Sequence, residues 1–217
     1  VVWMVDLLSQ FSMPQYVATR ADITPKHIHH ATIVFHLAGV LGMGLCLLLA
    51  GSIGPSLGAP HMAAYMPGFV LATLFQRLAT MPDRILVREL RFGTSSAIRG
   101  MSEVAYALVS LGLAAAGKRF DFSIAGHALM FGGGFAIVWG GIARGVFRTV
   151  GTLAVTRVRD WFAFVRPEKA ILRELFAFGV PITIAGLGSI GARRWDNLVI
   201  GNLYGPTMSG IYNFAYN

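Results

Sequence analysis

Ionisable side chains inside long apolar segments are the first candidates for chemistry in this sequence. Arg99 and Glu103 lie four residues apart, so they share a face of any helix that contains them. Charged groups within a membrane segment are costly and mark binding sites or transport pathways. This pair therefore either neutralises itself as a structural contact or lines a cavity, and both alternatives stay open.

A second charged cluster lies further along the chain, in another apolar segment. Arg193 and Asp196 are neighbours on a helix surface, and Asn197 follows them. Arg194 points to another face and has no local partner. Its guanidinium needs water, an anion or a carboxylate from another helix, which makes it a candidate for anion binding.

Three further polar residues lie within predicted apolar spans. His36 and His127 are each predicted in the middle of a helix, where a lone histidine more often hydrogen-bonds a neighbouring helix than carries protons. Asp6 lies in the first apolar segment, and we expect its counter-charge to lie outside this chain. Of the three, His127 is kept as a candidate cavity residue.

The sequence offers no pattern that predicts catalysis or a bound cofactor. It has no ordered Ser, His and Asp triad, no paired carboxylates and no H-E-x-x-H motif. His27, His29 and His30 cluster without a nearby cysteine or carboxylate pair, which disfavours a metal site. Residues 186–191 match the dinucleotide pattern G-x-G-x-x-G, but they lie in an apolar span rather than after a strand. We therefore predict neither an enzyme nor a cofactor.

The elements that position these residues are long apolar helices. Of the 217 residues, 55% are hydrophobic and 13% are charged, against about 25% charged in soluble domains. Residues 27–76 contain no Lys, Arg, Asp or Glu, which is enough for two spanning helices of about 20 residues and a turn. Because these runs lack the alternating pattern of a transmembrane β-barrel, we predict an all-α, polytopic transmembrane helix bundle.

The predicted spans alternate with loops that differ in basic content. The spans cover residues 1–13, 31–52, 61–80, 93–117, 122–147, 176–204 and 206–217. Loops 14–30, 77–92 and 148–174 hold twelve Lys and Arg residues, whereas loops 51–60 and 118–121 hold two. Because cytoplasmic loops carry the basic excess, the first group is predicted to face the cytoplasm. The net charge of +8 then reflects topology, and no nucleic-acid partner is expected.

Glycines in two of these spans predict close helix packing. Lipid gives little hydrophobic drive between helices, so small residues that let backbones approach become important. These glycines are Gly39, Gly42 and Gly44 in one span, and Gly126, Gly133, Gly140 and Gly141 in another. Flexible points for gating remain the alternative interpretation.

Three stretches of the sequence resemble one family of transporters. Residues 11–16, FSMPQY, followed by 20–25, RADITP, look like the family's passage between its second and third helices. Residues 85–92, ILVRELRF, resemble the beginning of its fifth helix, and residues 195–216, WDNLVIGNLYGPTMSGIYNFAY, are similar to its seventh and eighth. The family comprises bacterial polysaccharide and lipid-linked oligosaccharide flippases, the polysaccharide biosynthesis branch of the multidrug/oligosaccharidyl-lipid/polysaccharide exporter superfamily.

The resemblance implies that the chain covers helices two to eight of a larger multi-pass protein in the bacterial inner membrane. Residues 1–147 would form the N-terminal transmembrane bundle, 148–175 a cytoplasmic amphipathic linker and 176–217 the beginning of the C-terminal bundle. About six full or partial helices would belong to the first bundle. Since the chain opens and ends within apolar segments, we expect a fragment.

The resemblance also implies a function. Such proteins are thought to move a glycan linked to undecaprenyl diphosphate across the inner membrane by alternating access, for exopolysaccharide or lipopolysaccharide biosynthesis. Expected partners are the lipid-linked glycan, membrane lipid, and glycosyltransferases and a polymerase of the same pathway. The candidate substrate-binding residues are Arg194, Arg193, Asp196, Asn197, Arg99, Glu103 and His127. The alternatives are a cation-coupled multidrug exporter of the same superfamily and, less well supported, a membrane-embedded enzyme of the same pathway.

Overall fold

The computed structural model describes residues 2–20, 22–56, 62–119, 123–124, 127–128 and 134–216. Within these ranges the chain forms nine α-helices and one pair of two-residue antiparallel strands. The helices are α1 (Val2–Ser9), α2 (Met13–Thr19), α3 (Pro25–Leu48), α4 (Ala50–Ser56), α5 (Met62–Arg88), α6 (Phe92–Arg119), α7 (Gly134–Val155), α8 (Val158–Trp161) and α9 (Lys169–Tyr216). The strands are β1 (Ser123–Ile124) and β2 (His127–Ala128), with Ser123 opposite Ala128.

Three of the described helices are long and apolar enough to cross a membrane. They run over Pro25–Leu48, Phe92–Gly117 and Lys169–Ser189. Large apolar side chains on the first two are exposed, among them Leu41 at 73% and Leu108 at 70%. A continuous apolar surface of this kind suits lipid rather than water. The chain is a membrane protein, and the predicted all-α transmembrane fold is confirmed.

Helices α5 and α7 also have the length of a span but carry charged side chains. α5 has 27 residues and contains Arg77 and Asp83, and α7 has 22 residues and contains Arg144 and Arg148. α7 packs along both α5 and α6, so these charges lie beside other helices. Arg77, Asp83 and Arg148 have their counter-charges inside the bundle, whereas the pair of Arg144 with Glu103 is more exposed.

The predicted loops are longer than the observed ones, because helices continue through charged residues. The predicted loop 14–30 contains α2 and the first turns of α3. Most of the predicted loop 77–92 is the end of α5, and the predicted turn 51–60 begins inside α4. The predicted linker 148–174 begins inside α7. Sequence patterns place a span end where charges appear, whereas the fold matches those charges with partners on other helices.

The predicted span 122–147 is wrong in its first half, and a predicted break is present in α9. Residues 123–124 and 127–128 form the strand pair, so His127 lies in β2 rather than in the middle of a helix. The described part of α7 begins at Gly134.

Gly205 interrupts α9 with a φ of 82°, a left-handed conformation that glycine adopts without a steric penalty. The division into residues 1–147, 148–175 and 176–217 stays a prediction.

Close helix packing depends on glycines of α7, as the sequence predicts. A Cβ on Gly145 would lie 2.8 Å from the Cβ of Phe75 on α5, and one on Gly140 would lie 3.0 Å from the Cβ of Ser110 on α6. α7 therefore sits between α5 and α6 at a distance that a larger residue would not allow. Gly126 and Gly133 lie outside the described residues.

The glycines of α3 only partly follow the prediction. A Cβ on Gly42 would lie 3.1 Å from Val5 of α1, which is a packing contact, but Gly44 has no atom within 4 Å of that position. A Cβ on Gly39 would lie 2.1 Å from Nε of Arg77. Gly39 therefore makes room for a guanidinium rather than for a helix backbone.

The three predicted basic loops meet at one end of the helices. A buried apolar cluster there joins α2, α3, α5, α8 and α9. Its fully buried members include Tyr16 of α2, Phe35 of α3, Met81 of α5 and Leu175 of α9. Since three segments predicted to share one side of the membrane are in contact, their relative placement agrees with the alternation of loop charge.

Candidate functional site

The most deeply buried arginine among the described residues is Arg77, on α5. Its side chain is 3% exposed, and Nη1 donates to Oδ1 of Asp6 at 2.5 Å and to Oγ of Ser9 at 2.9 Å. Nη2 donates to the carbonyl oxygen of Phe35 at 2.5 Å, and the guanidinium lies 4.1 Å from the centroid of the Phe35 ring. This guanidinium thus connects α5 with α1 and α3, in the space left by Gly39.

Asp6 was expected to find its partner outside the chain, and that expectation is wrong. Its carboxylate pairs with Arg77, which follows it by 71 residues. A buried charge is stable only with a hydrogen-bonded counter-charge. Asp6 and Arg77 supply this to each other, which explains how α5 carries an arginine within the bundle.

Asp83 is the centre of a second buried contact, between α5, α6 and α7. Its side chain is 1% exposed, and Ser95 donates its hydroxyl hydrogen to Oδ1 at 2.5 Å. Oδ2 accepts hydrogen bonds from Arg99 of α6 and, at 3.1 Å, from Nη2 of Arg148 on α7. One carboxylate therefore holds three helices together and is neutralised by two guanidinium groups.

A pocket of about 230 Å³ opens between α1, α5, α6 and α7. Its lining residues are Val2, Asp6, Phe69, Ala72, Thr73, Gln76, Tyr106, Ile137, Gly141 and Arg144. The guanidinium of Arg144 lies over the Tyr106 ring, 5.1 Å from its centroid, and pairs with Glu103 at 3.4 Å. The pocket therefore combines a cation, hydroxyl and amide groups and an aromatic ring, which are groups that recognise phosphates and sugars.

The predicted pair of Arg99 and Glu103 does not form. Arg99 binds Asp83 on α5, and Glu103 binds Arg144 on α7. Both side chains lie on α6 with the spacing of a helical ion pair. Each of them nevertheless binds a side chain of opposite charge on a neighbouring helix. The pairing changes their roles: Arg99 belongs to the buried Asp83 contact, whereas Glu103 binds Arg144, a lining residue of the pocket.

The remaining predicted site residues fall on parts of the chain whose side chains are not described. Arg193, Arg194, Asp196 and Asn197 belong to α9, but side chains at 190–198 lie outside the described part. The same holds for the side chain of His127. Their role in substrate binding stays a prediction.

Three other histidines that the structure describes have structural contacts. His36 bonds through Nδ1 to the carbonyl oxygen of Thr32, one turn earlier in α3, at 2.8 Å. His29 bonds through Nε2 to the carbonyl oxygen of Arg159 at 3.1 Å, and Nε2 of His30 accepts the backbone N–H of Glu168 at 3.1 Å. The histidine cluster therefore attaches α3 to the segment between α7 and α9.

Two of the central residues, Arg77 and Asp83, were not predicted as site residues. The sequence places both in a cytoplasmic loop, because charged residues predict the end of a span. The signal that could have placed them is that Arg77 directly follows fifty uncharged residues, while the helix continues beyond it to Arg88. A buried arginine in a helix requires an acidic partner, and Asp6 is the acid that the sequence leaves without one.

A group of contacts around Glu174 joins α9 to α2 and α3. Tyr16 donates its hydroxyl hydrogen to Oε1 at 2.7 Å, and Nη2 of Arg20 donates to the same oxygen at 3.0 Å. His27 lies 3.6 Å from Oε2. Burial and the hydrogen bond to the Glu174 carboxylate raise the pKa of Tyr16 above its usual value, so this hydroxyl stays protonated and donates.

The whole chain matches one family model. The family is described as a polysaccharide biosynthesis protein, and the match covers residues 1–217. The chain belongs to this polysaccharide biosynthesis family. No curated protein and no solved structure matches it. Membership gives this family member a role in polysaccharide synthesis or export, and it agrees with the resemblance of residues 11–25, 85–92 and 195–216.

Proposed function

We propose that this member of the polysaccharide biosynthesis family is a flippase that moves a lipid-linked glycan across the bacterial inner membrane. The observation that supports the proposal is the pocket between α1, α5, α6 and α7, whose mainly apolar lining also includes Thr73, Gln76 and Arg144. Charged and polar side chains that line a cavity within a membrane bundle mark substrate pathways, because burying them in an apolar bundle is costly. A diphosphate and its first sugar need the cation, hydroxyl and amide groups that this pocket provides.

The size of the pocket limits what it binds. At about 230 Å³ it is smaller than the roughly 300–1,000 Å³ of typical ligand pockets. It therefore receives the phosphate or the first sugar of a larger head group rather than a whole repeat unit. The lipid tail stays in the bilayer along exposed apolar residues such as Leu108 and Leu111 of α6, at 70% and 71% exposure.

The roles of the lining residues follow from their chemistry. Arg144 offers its guanidinium to phosphate oxygens, in place of its weak contact with the exposed Glu103 carboxylate. Thr73 and Gln76 supply hydrogen bonds for sugar hydroxyls, and the Tyr106 ring gives a flat apolar surface. Helices α5, α6 and α7 keep these groups in place, because Asp83 holds them together. In alternating access, helices α5, α6 and α7 would move together relative to α9.

A cation-coupled drug exporter has less support from the same pocket. Among its described lining residues the sole carboxylate is Asp6, and Arg77 already neutralises it. A cation site needs a carboxylate with negative charge to spare. An enzyme of the same pathway would need catalytic acids or histidines in the pocket, and the described lining has no such set.

The proposal is tested by replacing Arg144 in the protein reconstituted into lipid vesicles. The assay follows the passage of a fluorescent oligosaccharide linked to undecaprenyl diphosphate, by its accessibility to an impermeant quencher. Arg144→Gln should lower the rate at least about tenfold, since a charge-assisted contact to phosphate is worth about 1.5–3 kcal/mol. Arg144→Lys should retain an intermediate rate. The exposed Arg173 is the matched control, and Arg173→Gln should leave the rate within about twofold.

Folding and function separate clearly in this experiment. The contact between Arg144 and Glu103 is 3.4 Å long and partly exposed, so Arg144→Gln should lower the melting temperature less than loss of the buried Asp83 contact would. Passage of the lipid at the wild-type rate in Arg144→Gln would contradict the assignment of this pocket. No passage above protein-free vesicles by the wild type would contradict the flippase function itself.

A further inference from the structure

Two adjoining pockets lie at the end of the molecule where the basic loops meet. The larger, of about 380 Å³, is lined by Pro25, Ile28, Ile85, Arg88, Glu89, Arg159 and Asp160. The smaller, of about 250 Å³, is lined by Ile85, Glu89, Arg91, Val155, Thr156, Arg157 and Asp160. Because they share three residues, they form one continuous depression, here named the basic groove.

The basic groove carries more positive than negative side chains. Its cations are Arg88, Arg91, Arg157 and Arg159, and its carboxylates are Glu89 and Asp160. Glu89 lies 3.5 Å from Arg91, so part of the charge is already paired. Arg157 and Arg159 are exposed. The excess of two cations favours an anionic ligand.

The walls of the basic groove are fixed by contacts behind it. The carbonyl oxygen of Arg159 bonds Nε2 of His29 at 3.1 Å, and Trp161, 7% exposed, packs into the buried cluster next to α3. Nη1 of Arg91 donates to the carbonyl oxygen of Val155 at 3.3 Å, which joins the two sides. These contacts place the arginines before any ligand arrives, which lowers the entropic cost of binding.

The groove lies at the level where the spans end. Pro25 is the first residue of one span and lines the groove, and Arg91 directly precedes Phe92, where another span begins. Large apolar side chains close in sequence to groove residues are exposed: Leu90, at 75%, lies between Glu89 and Arg91, and Phe164, at 92%, follows Asp160 by four residues. Aromatic and basic residues together at span ends are typical of the headgroup layer of a membrane.

We propose that the basic groove is a binding site for the phosphate-bearing headgroup of an anionic phospholipid. Arg91, Arg157 and Arg159 face the phosphate, whereas Nη1 of Arg88 donates to the carbonyl oxygens of Val17 and Arg20. Leu90 and Phe164 contact the acyl chains next to the phosphate. Basic pockets at the ends of transmembrane helices bind anionic headgroups in this way. Free phosphate would share the charge contacts but would leave these apolar side chains exposed to water, so the lipid is the ligand that the site fits. The proposal does not depend on which glycan the protein carries.

The test compares lipids on the purified protein by native mass spectrometry, with detergent micelles as the starting state. Phosphatidylglycerol is titrated against phosphatidylethanolamine, and inorganic phosphate is added at millimolar concentration in a separate arm. The double variant Arg157→Gln/Arg159→Gln removes two of the three exposed arginines of the groove and leaves Arg91, which pairs with Glu89. The matched control is Arg166→Gln/Arg173→Gln, two exposed arginines that do not line it.

The wild type and the control should retain phosphatidylglycerol in preference to phosphatidylethanolamine, and phosphate should not displace it. The groove variant should bind phosphatidylglycerol about tenfold more weakly or worse, since each basic residue near an anionic surface contributes separately. Equal binding by the groove variant and the wild type would overturn the site. Equal retention of the two lipids, or displacement by phosphate, would overturn a lipid headgroup as the ligand.

Discussion

Arg77 is surrounded by groups that the rest of the chain supplies one by one. Asp6 gives the counter-charge, Ser9 and Phe35 give oxygen acceptors, and Gly39 gives the space. A guanidinium so deep in a membrane bundle needs a counter-charge and acceptors, because an unpaired charge there costs several kcal/mol. Nη1 and Nη2 of Arg77 have these partners, whereas Nε has none among the described residues. The lack of a side chain at Gly39 is therefore as necessary for holding the Arg77 guanidinium as the Asp6 carboxylate is.

Gly39→Ala tests that requirement, with Gly44→Ala as the control in the same helix. The new Cβ at position 39 would meet Nε of Arg77 at 2.1 Å, and Arg77 cannot move away without breaking its bonds to Asp6 and Phe35. We expect Gly39→Ala to lower the free energy of unfolding by about 1–3 kcal/mol. Gly44 has open space around its Cβ position, so Gly44→Ala should be neutral or slightly stabilising.

Thermal melting in detergent, followed by tryptophan fluorescence, measures both variants. If Gly39→Ala melts at the temperature of Gly44→Ala, the space at position 39 has no role in holding the guanidinium.

At this scale the sequence shows which residues are charged but not which pair. Arg99 and Glu103 have the ideal spacing within one helix, yet each binds a residue of another helix. Spacing reports neighbours on a single helix only. Asp6 shows the same limit, because its need for a partner was evident and Arg77, 71 residues later, was not identified as that partner.

Among the helices, α5, α6 and α7 form the unit that the proposed function requires. α7 approaches both neighbours closely at Gly140 and Gly145, and Asp83 binds residues of α6 and α7 at the other end of α5. The close contacts at the glycines and the ion pairs of Asp83 thus hold the same three helices together at different positions along their length. The pocket with Arg144 lies between them and depends on their mutual position.

Asp83→Asn should loosen this unit. Asparagine keeps the size of the side chain but leaves Arg99 and Arg148 without their carboxylate, so we expect a loss of about 2 kcal/mol or more. Hydrogen exchange should become faster in the first turns of α6, near Ser95. Glu103→Gln on the same helix is the control, because its partner is held at 3.4 Å at the surface and little stability should be lost.

A melting temperature and an exchange pattern equal to those of the wild type would show that Asp83 does not hold α6 and α7 to α5.

The sequence predicts helices better than it predicts their ends. The apolar run that becomes α3 and the break at Gly205 are evident from composition and from glycine. The course of α5 through Arg77 to Arg88 was missed, because its charges are matched only after folding. The strand pair before α7 was missed because residues 122–133 are apolar enough to resemble a span.

Across the whole molecule, the beginning of α9 is attached to α2 and α3 by polar contacts. Glu174 accepts hydrogen bonds from Tyr16 and Arg20, and Lys26 donates to Oε1 of Glu168 at 2.8 Å. Such contacts are exposed or half-exposed, so each stabilises weakly and can be broken and remade. Contacts that break and re-form easily suit a joint between α9 and the pair α2 and α3, if these helices move relative to one another during the proposed transport.

This joint should be sensitive to acid. The hydrogen bond from Lys26 holds the pKa of Glu168 below its usual value. A lowered pKa in the folded state means that the contact stabilises fully above the usual carboxyl pKa and is lost as the pH falls through the folded value. As the pH falls below the usual carboxyl pKa and on through the folded value, the wild type should therefore lose melting temperature more steeply than Lys26→Gln, in which that contact is already absent.

Lys169→Gln, next to Glu168 but without that hydrogen bond, is the control and should follow the wild type. Parallel curves for the wild type and Lys26→Gln would show that the contact adds nothing to stability in this pH range.

The position of Arg77 in the chain bears on how the protein is made. Synthesis proceeds from the N-terminal end, so Asp6, Ser9 and Gly39 enter the membrane before Arg77 leaves the ribosome. An arginine at the centre of a helix raises the cost of insertion by about 2.5–3.5 kcal/mol. Since α1 and α3 already present the acceptors of Arg77, packing of α5 against them during insertion offsets that cost. The order of these residues along the chain therefore favours correct assembly in the membrane.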